Sequence, residues 1–598
     1  MPAMKPARRT LPFTLKRPRW PMVALTLLAF ALRIPFLERR TLTIDEASSL
    51  KYIAGQSLLD LLTHYHTNSH QLISVLAHFA SGLGHHLTLY RWPSAVTGVL
   101  VVPLTFALGR RMFGRTTGLL AALLLAVAPF HVDFSLQMRG YAATTFGAAA
   151  MYGTVWRGLA TGRRRYWLAL AAASVWTAYA HLFGMLAVGA TWLIVGGAYL
   201  AARRKGERPP WARAAVAGLL ATALGLAALY GPILPRILAT PDVETDWPSQ
   251  IEPLVKEGNF NPDAVADYLK VFRLYGPLGE PRSWLVWSFV VLAGLGLAAT
   301  LASRRTRRAG VFIAVWIFVP IAAVMFGLQF VRGFYAYRRF FLFFQPLYLL
   351  LLAQGMVTTG RLAGGRRAWA RTGVTLLLVL TAMGAAGWKL YRQTAEDTHN
   401  GWAAAARLIR AGGEHSFVIC EPRDARMRPV ATHRDTCFRN LEFHLQTAPG
   451  EPVDELAREV DEVASVPGVA SRPWLAETPG DVWLVLWQPD WPPPAWPLPS
   501  PAAGVTAQRV GSTLLLHAEA QPAQLLALSA AVDALLQIPT TPEDRFAYLL
   551  SQAQMKALTG QRDAARAALQ AAQALSPPGI NAPERLRAVA ALIGMELE

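Results

Sequence analysis

Two carboxylates stand side by side just beyond the first apolar block of the chain, in Thr43-Ile44-Asp45-Glu46-Ala47. At the mouth of an apolar segment such a pair costs desolvation energy unless it has a task or a partner. One reading is catalytic: a carboxylate can take the proton of a hydroxyl as general base. The other is structural: Asp45 caps the following helix and Glu46 favours its first turn. Cations suited to an anionic group occur in two further places. Arg139 lies just after Ala128-Pro129-Phe130-His131, and Arg332, Arg338 and Arg339 lie within 331–339 with Tyr335 and Tyr337 among them. Arginines so placed either bind phosphate or snorkel to the headgroup level beside an aromatic belt. His64, His66 and His70 could in principle hold a divalent cation, with interfacial hydrogen bonding as the alternative. No other cofactor or metal is assigned. Metalloprotease and nucleotide-binding signatures with the right flanks do not occur.

The elements that must position these residues are apolar. Of 598 residues 53% are hydrophobic and 16% charged, against about a quarter charged in soluble proteins. The apolar blocks run to about Leu390, and charged, Pro-rich sequence follows. The net charge of +20 sits in short clusters between apolar blocks, such as Arg163–Arg165 and Arg304–Arg308. That is the pattern of cytoplasmic loops and excludes a nucleic-acid-binding face. A helix needs roughly 20 apolar residues to cross a bilayer. Spans are expected at about 20–37, 92–109, 116–134, 141–158, 165–180, 182–201, 212–231, 284–302, 310–330, 340–359 and 372–390. Residues 1–19 read as a basic cytoplasmic tail before a retained signal anchor. Arg clusters then fall on every second loop, so loops 38–91, 232–283 and 331–339 and everything after 391 face outward. His70–Gly84 is apolar but only about 15 residues long, and is expected as an amphipathic helix at the outer interface.

Several blocks, taken in order, resemble the GT-C glycosyltransferases, in the branch of protein O-mannosyltransferases and aminoarabinose transferases. They are the acidic pair after the first span; Asn68-Ser69-His70-Gln71-Leu72; Arg91-Trp92-Pro93-Ser94-Ala95 leading to Gly109-Arg110-Arg111-Met112-Phe113-Gly114; Ala128 to Tyr141; and Arg338-Arg339-Phe340 with Pro346. Together they cover roughly 20–390. The resemblance implies a membrane enzyme that moves a sugar from a polyprenyl-phosphate donor to an extracytoplasmic protein, lipid or glycan by one inverting displacement. It implies Asp45 as catalytic carboxylate, with Glu46 assisting. Arg139, Arg332, Arg338 and Arg339 would receive the phosphate, and His70, Tyr141, Tyr335 and Tyr337 would contact substrate. In one departure, Gln137 stands where the family has an acidic residue two positions before its Arg, and Asp133 is the nearest substitute. In another, the His-Pro-Pro form of the first-loop motif is missing.

The expected fold is mainly α: a polytopic bundle of about 11 spans over 20–390, an extracytoplasmic α/β domain over 391–500, and a helical, tetratricopeptide-like segment over 501–598. Cys420 and Cys437, the chain's two cysteines, are a disulfide candidate on the oxidising side, against two ordinary buried thiols. The expected location is a bacterial inner membrane, active side outward, among membrane lipids. Two other classes remain. A lipid-linked-sugar transporter would show internal repeats and mid-depth charges, and neither is seen. A non-catalytic scaffold would have no use for an acidic pair beside outer arginines.

Overall fold

A computed structural model describes residues 20–54, 56–63, 70–235, 255–256, 259–277, 284–327, 337–398, 401–412, 416–422, 434–446, 456–457, 481–487, 505–510 and 513–519, with shorter stretches from 524 on, including 561–575. Helices dominate the first two thirds. After α1 (Trp20–Ala31) come four short elements before the next long helix: a 3-10 turn at Ile34–Phe36, α2 (Ile44–Ala54), α3 (Leu58–Thr63) and α4 (Gln71–Ser81). The long helices are α5 (Leu87–Met112), α6 (Arg115–Ala126), α7 (Pro129–Ser135), α8 (Tyr141–Thr161), α9 (Arg164–Ala180), α10 (Gly184–Arg203) and α11 (Ala212–Tyr230). A small hairpin, β1 (Val255–Lys256) with β2 (Asn259–Phe260), and α12 (Pro262–Leu274) follow. The bundle closes with α13 (Trp284–Ala302), α14 (Arg307–Gly327), α15 (Gln345–Ala363) and α16 (Ala368–Thr398).

Each expected span contains a helix. Among the described residues, however, seven helices are long and apolar enough to cross a bilayer, or eight if α6 and α7 count as one. The chain is a multi-pass membrane protein. α1, α8 and α9 fall short in length or hydropathy; α8 is rich in Ala, Gly and Thr, most of them buried. The expected span 116–134 is broken: α6 and α7 meet at 57°. Pro129 opens α7, and its ring and missing N–H prevent a continuous helix there. The stretch expected as an amphipathic helix is α4, which buries Gln71, Ile73, Ser74 and Ala77 and leaves Phe79 exposed.

The bundle core is aromatic and aliphatic, with Trp167, Trp316, Phe341, Phe343 and Phe344 fully buried. α13 and α15 approach so closely at Gly296 and Gly355 that a Cβ on either would collide with the opposite backbone. Small residues at contacts of this kind let helices pack without a hydrophobic drive between them.

Beyond the bundle lie α17 (Trp402–Ala411), β3 (Ser416–Pro422), α18 (Arg434–Leu445), β4 (Leu456–Ala457) and β5 (Asp481–Trp487). Two further strands, β6 (Val505–Val510) and β7 (Thr513–Glu519), complete a sheet of order β4-β3-β5-β7-β6, in which β3 is parallel to β4 and β5 while β7 is antiparallel to β5 and β6. The expected boundary at 500 is therefore too early, and the segment expected to be helical from 501 opens with two strands. Leu514, Leu515 and Leu516 are all buried, and such a run suits a strand covered on both faces. Among the described residues further on, α19 (Arg562–Leu575) buries Ala565, Leu569 and Ala572 against Phe546, Leu550 and Leu586. Cys420 and Cys437 form a disulfide that joins β3 to α18.

Candidate active site

The loop holding the two carboxylates is organised by Glu46. Thr43 Oγ1 accepts from the Glu46 N–H at 3.3 Å, and Glu46 Oε2 accepts from the Thr43 N–H at 3.1 Å. This is a reciprocal capping box at the start of α2. Helix capping, the structural alternative for Asp45, thus falls to Thr43 and Glu46. Glu46 is fully buried and holds two more segments. Arg91, on the first turns of α5, donates from Nε to Oε1 at 2.8 Å and from Nη2 to Oε2 at 3.1 Å, and the Met138 N–H donates to Oε1 at 2.7 Å. Burial alone would raise the Glu46 pKa, but the charge and hydrogen bonds of Arg91, with the Met138 and Thr43 amides, hold it below the usual carboxylate value. Glu46 is therefore a carboxylate with both oxygens engaged. It fixes the start of α2 against α5 and the turn before α8.

Asp45 points elsewhere. Its side chain is 31% exposed, and Oδ2 lies 2.9 Å from Arg339 Nη2 and 4.0 Å from Arg139 Nη2. Arg139 is brought there by the Met138 contact and is held by the Asp45 carbonyl (3.2 Å) and the Ser49 hydroxyl (2.9 Å). The Ser94 hydroxyl donates to the Arg139 carbonyl at 2.9 Å. Both guanidiniums lie 6.0 Å from the Tyr141 ring centre, and Arg339 lies 4.5 Å from that of Tyr337. A half-open carboxylate thus faces two arginines from distant parts of the chain, over an aromatic floor.

His70 belongs to that floor in a role other than the one expected. Its ring packs against Tyr141 at 4.8 Å and His181 at 4.7 Å, and its Nδ1 accepts from the Gly140 N–H at 3.0 Å. Burial first, then the charges of Arg139, His181 and Arg339, keep His70 well below the usual imidazole value despite its hydrogen bond with Ala180. It is a neutral buried ring with both nitrogens engaged. Gly140 must be glycine here, since a Cβ would strike the Ala180 carbonyl and the His70 ring.

The expected sites separate at this point. Asp45, Arg139, Arg339, Tyr141, Tyr337 and His70 come together. Arg338, adjacent to Arg339, turns instead to Asp267 of α12 at 3.3 Å, which also pairs with Lys270. Arg332, Tyr335, His64 and His66 lie outside the described residues. Among the described residues no group of three His, Cys, Asp or Glu is gathered that could hold a metal ion. Asp133, the expected substitute acid, pairs with Arg40 and accepts from Gln137 at 3.1 Å, away from Asp45. Sequence reasoning missed Arg91, Ser49 and His181. Arg91 carried a legible signal: an arginine at the outer end of an apolar block runs against the loop-charge trend. Behind the Arg40–Asp133 pair, a cavity of about 370 Å³ opens between α1, α7 and α16, lined by Leu28, Leu32, Val132, Leu136, Met383 and Leu390.

Residues 72–230 match the family model described as dolichyl-phosphate-mannose-protein mannosyltransferase. The resemblance to the GT-C glycosyltransferases is borne out over that stretch, which contains Arg91, Arg139, Tyr141 and His181; Asp45 and Arg339 lie outside it. No curated protein matches the chain in sequence. The fold is similar to that of ArnT from Cupriavidus metallidurans in the apo state, at 13% identity over 87% of this chain and 99% of that one, with a TM-score of 0.49. ArnT bound to undecaprenyl phosphate gives 13% identity, 88% and 100% coverage, and 0.47. The Archaeoglobus fulgidus oligosaccharyltransferase tethered to an acceptor peptide gives 13% identity, 78% and 69% coverage, and 0.41.

Proposed function

We propose that this membrane protein is a glycosyltransferase that moves a sugar from a polyprenyl-phosphate carrier to a hydroxyl of a protein, lipid or glycan on the outer face of a bacterial inner membrane. One observation carries the reading: Arg139 and Arg339 converge on the half-exposed carboxylate of Asp45. A phosphodiester that becomes a phosphate monoester gains negative charge, and preorganised cations stabilise that change most when water is scarce. The acceptor oxygen attacks the anomeric carbon, the bond from that carbon to the phosphate oxygen breaks, and Asp45 takes the hydroxyl proton. Configuration inverts in one displacement. Arg139 and Arg339 receive the phosphate, and Tyr141 and Tyr337 offer ring faces to the sugar. Glu46, expected to share the chemistry, is a positioning residue. The apolar cavity beside α7 suits the isoprenoid chain, because Leu136 on its wall is three residues from Arg139.

The test is sugar transfer in membranes holding wild type or Asp45→Asn, with lipid-linked sugars and products followed by mass spectrometry. Loss of a glycosylated product with accumulation of its lipid-linked donor supports the reading. A stably folded Asp45→Asn protein with wild-type pools of both overturns it.

A further inference from the structure

Asparagine is a poor helix former because its amide competes for backbone groups, yet Asn440 sits inside α18 and is fully buried. A buried amide without partners is destabilising, so its hydrogen bonds show what the position is for. One partner is local: Nδ2 donates to the Thr436 carbonyl at 2.7 Å. The others are the two backbone groups of a single residue of the first outer loop. The Leu42 N–H donates to Oδ1 at 2.6 Å, and Nδ2 donates to the Leu42 carbonyl at 2.9 Å. This two-point grip treats Leu42 as a neighbouring strand would, and Leu42 precedes the capping box that sets the direction of Asp45.

Independent contacts place α18 on the same loop. Phe443 is buried in a cluster with Leu42, Ala47 and Leu50 of the acidic segment. Its ring lies 4.3 Å from that of His85, whose Nε2 donates to the Phe443 carbonyl at 3.2 Å. On its other side α18 is fastened to its own domain. Cys437 is bridged to Cys420 of β3, and Arg410 of α17 donates to the His444 and Gln446 carbonyls at 2.8 and 3.1 Å. The helix is thus anchored to the sheet and closes over the loop.

We propose that Asn440 is a positioning residue for Asp45: the C-terminal domain sets the geometry of the catalytic loop through the Asn440–Leu42 clamp. This inference rests on the reading of Asp45 as the reacting carboxylate. General-base catalysis depends steeply on placement, so a loop released by about 1 Å loses rate, while Arg339, which reaches the site from a distant segment, still binds the donor.

The experiment uses the full chain in detergent or nanodiscs, as wild type, Asn440→Leu, Asn440→Ala and Asp45→Asn. Two quantities are read: kcat and donor KM for sugar transfer, and hydrogen exchange of peptides covering 38–46. With the clamp cut, kcat falls roughly 10- to 100-fold with little change in donor KM, and exchange over 38–46 quickens about 10-fold. If Asn440→Leu loses the Cys420–Cys437 bridge or its cooperative unfolding, Asn440→Ala, which adds no volume, is read in its place. Wild-type kcat in a folded Asn440 variant, or unchanged exchange over 38–46, overturns the proposal even where Asp45→Asn is dead. An active Asp45→Asn overturns the catalytic reading instead, while exchange still reports whether the clamp exists.

Discussion

Arg339 reaches the Asp45 carboxylate at 2.9 Å, while its neighbour Arg338 turns to Asp267 at 3.3 Å. Two adjacent arginines with similar sequence credentials therefore have different partners. On the proposed function, a donor phosphate would meet Arg339 where Asp45 now holds it.

Arg339→Gln is accordingly expected to raise donor KM and lower kcat, because a charge-assisted hydrogen bond to phosphate is lost, worth about 1.5–3 kcal/mol or roughly 10- to 150-fold in kcat/KM. Arg338→Gln should change kcat/KM by less than about 3-fold, since a partly exposed ion pair contributes under about 1 kcal/mol. Steady-state kinetics on both variants, with the lipid-linked donor varied, make the comparison. Equal losses in the two would contradict the assignment.

The two acidic neighbours should also separate, by stability. Glu46→Gln leaves Arg91 buried without its counter-charge, a change that costs about 3–5 kcal/mol, and a marked drop in the thermal midpoint in detergent is expected. Asp45→Asn changes a partly exposed carboxylate shared by Arg339 and Arg139, and should shift the midpoint less than Glu46→Gln while abolishing transfer. A Glu46→Gln protein as stable as wild type would show that the Arg91 pair does not hold the loop.

Gly140→Ala tests the packing beneath the site. The added methyl meets the Ala180 carbonyl and the His70 ring, and backbone cannot yield as a side chain end does. The expected cost is about 1–3 kcal/mol, with lowered transfer because Arg139 precedes the displaced turn. Midpoint and activity measured on the same preparation give the answer.

The buried histidine gives a pH dependence. His70 is held well below 6.5, chiefly by burial. The unfolded chain therefore binds a proton that the folded chain does not, and stability must rise with pH across that interval. The contribution is complete above pH 6.5 and is lost as pH falls toward the folded value. Between pH 6.5 and 5 the loss is up to about 2 kcal/mol. Unfolding midpoints of wild type and His70→Asn at pH 7.5 and 5 should converge on acidification, and a constant gap would refute the neutral ring.

Much of this protein was written locally. Apolar blocks of spanning length, the Arg clusters between them and the Asp-Glu pair just after the first of those blocks could all be read directly, because each depends on residues close in sequence. The break at Pro129 was not read, because the block around it is apolar throughout and reads as one span. The partner of each charge was not. Asp45 and Glu46 are adjacent and chemically alike, yet one is sealed by Arg91 and Met138 and the other opens toward Arg139 and Arg339. Only the packing of α2 against α5 and the turn before α8 decides which is which. Arg338 and Arg339 part for the same reason, because α12 carries Asp267 to one of them and α2 carries Asp45 to the other. Asn440 is the extreme case: its value lies in a hydrogen-bonded pair with Leu42, and no local pattern records a contact between residues so far apart along the chain.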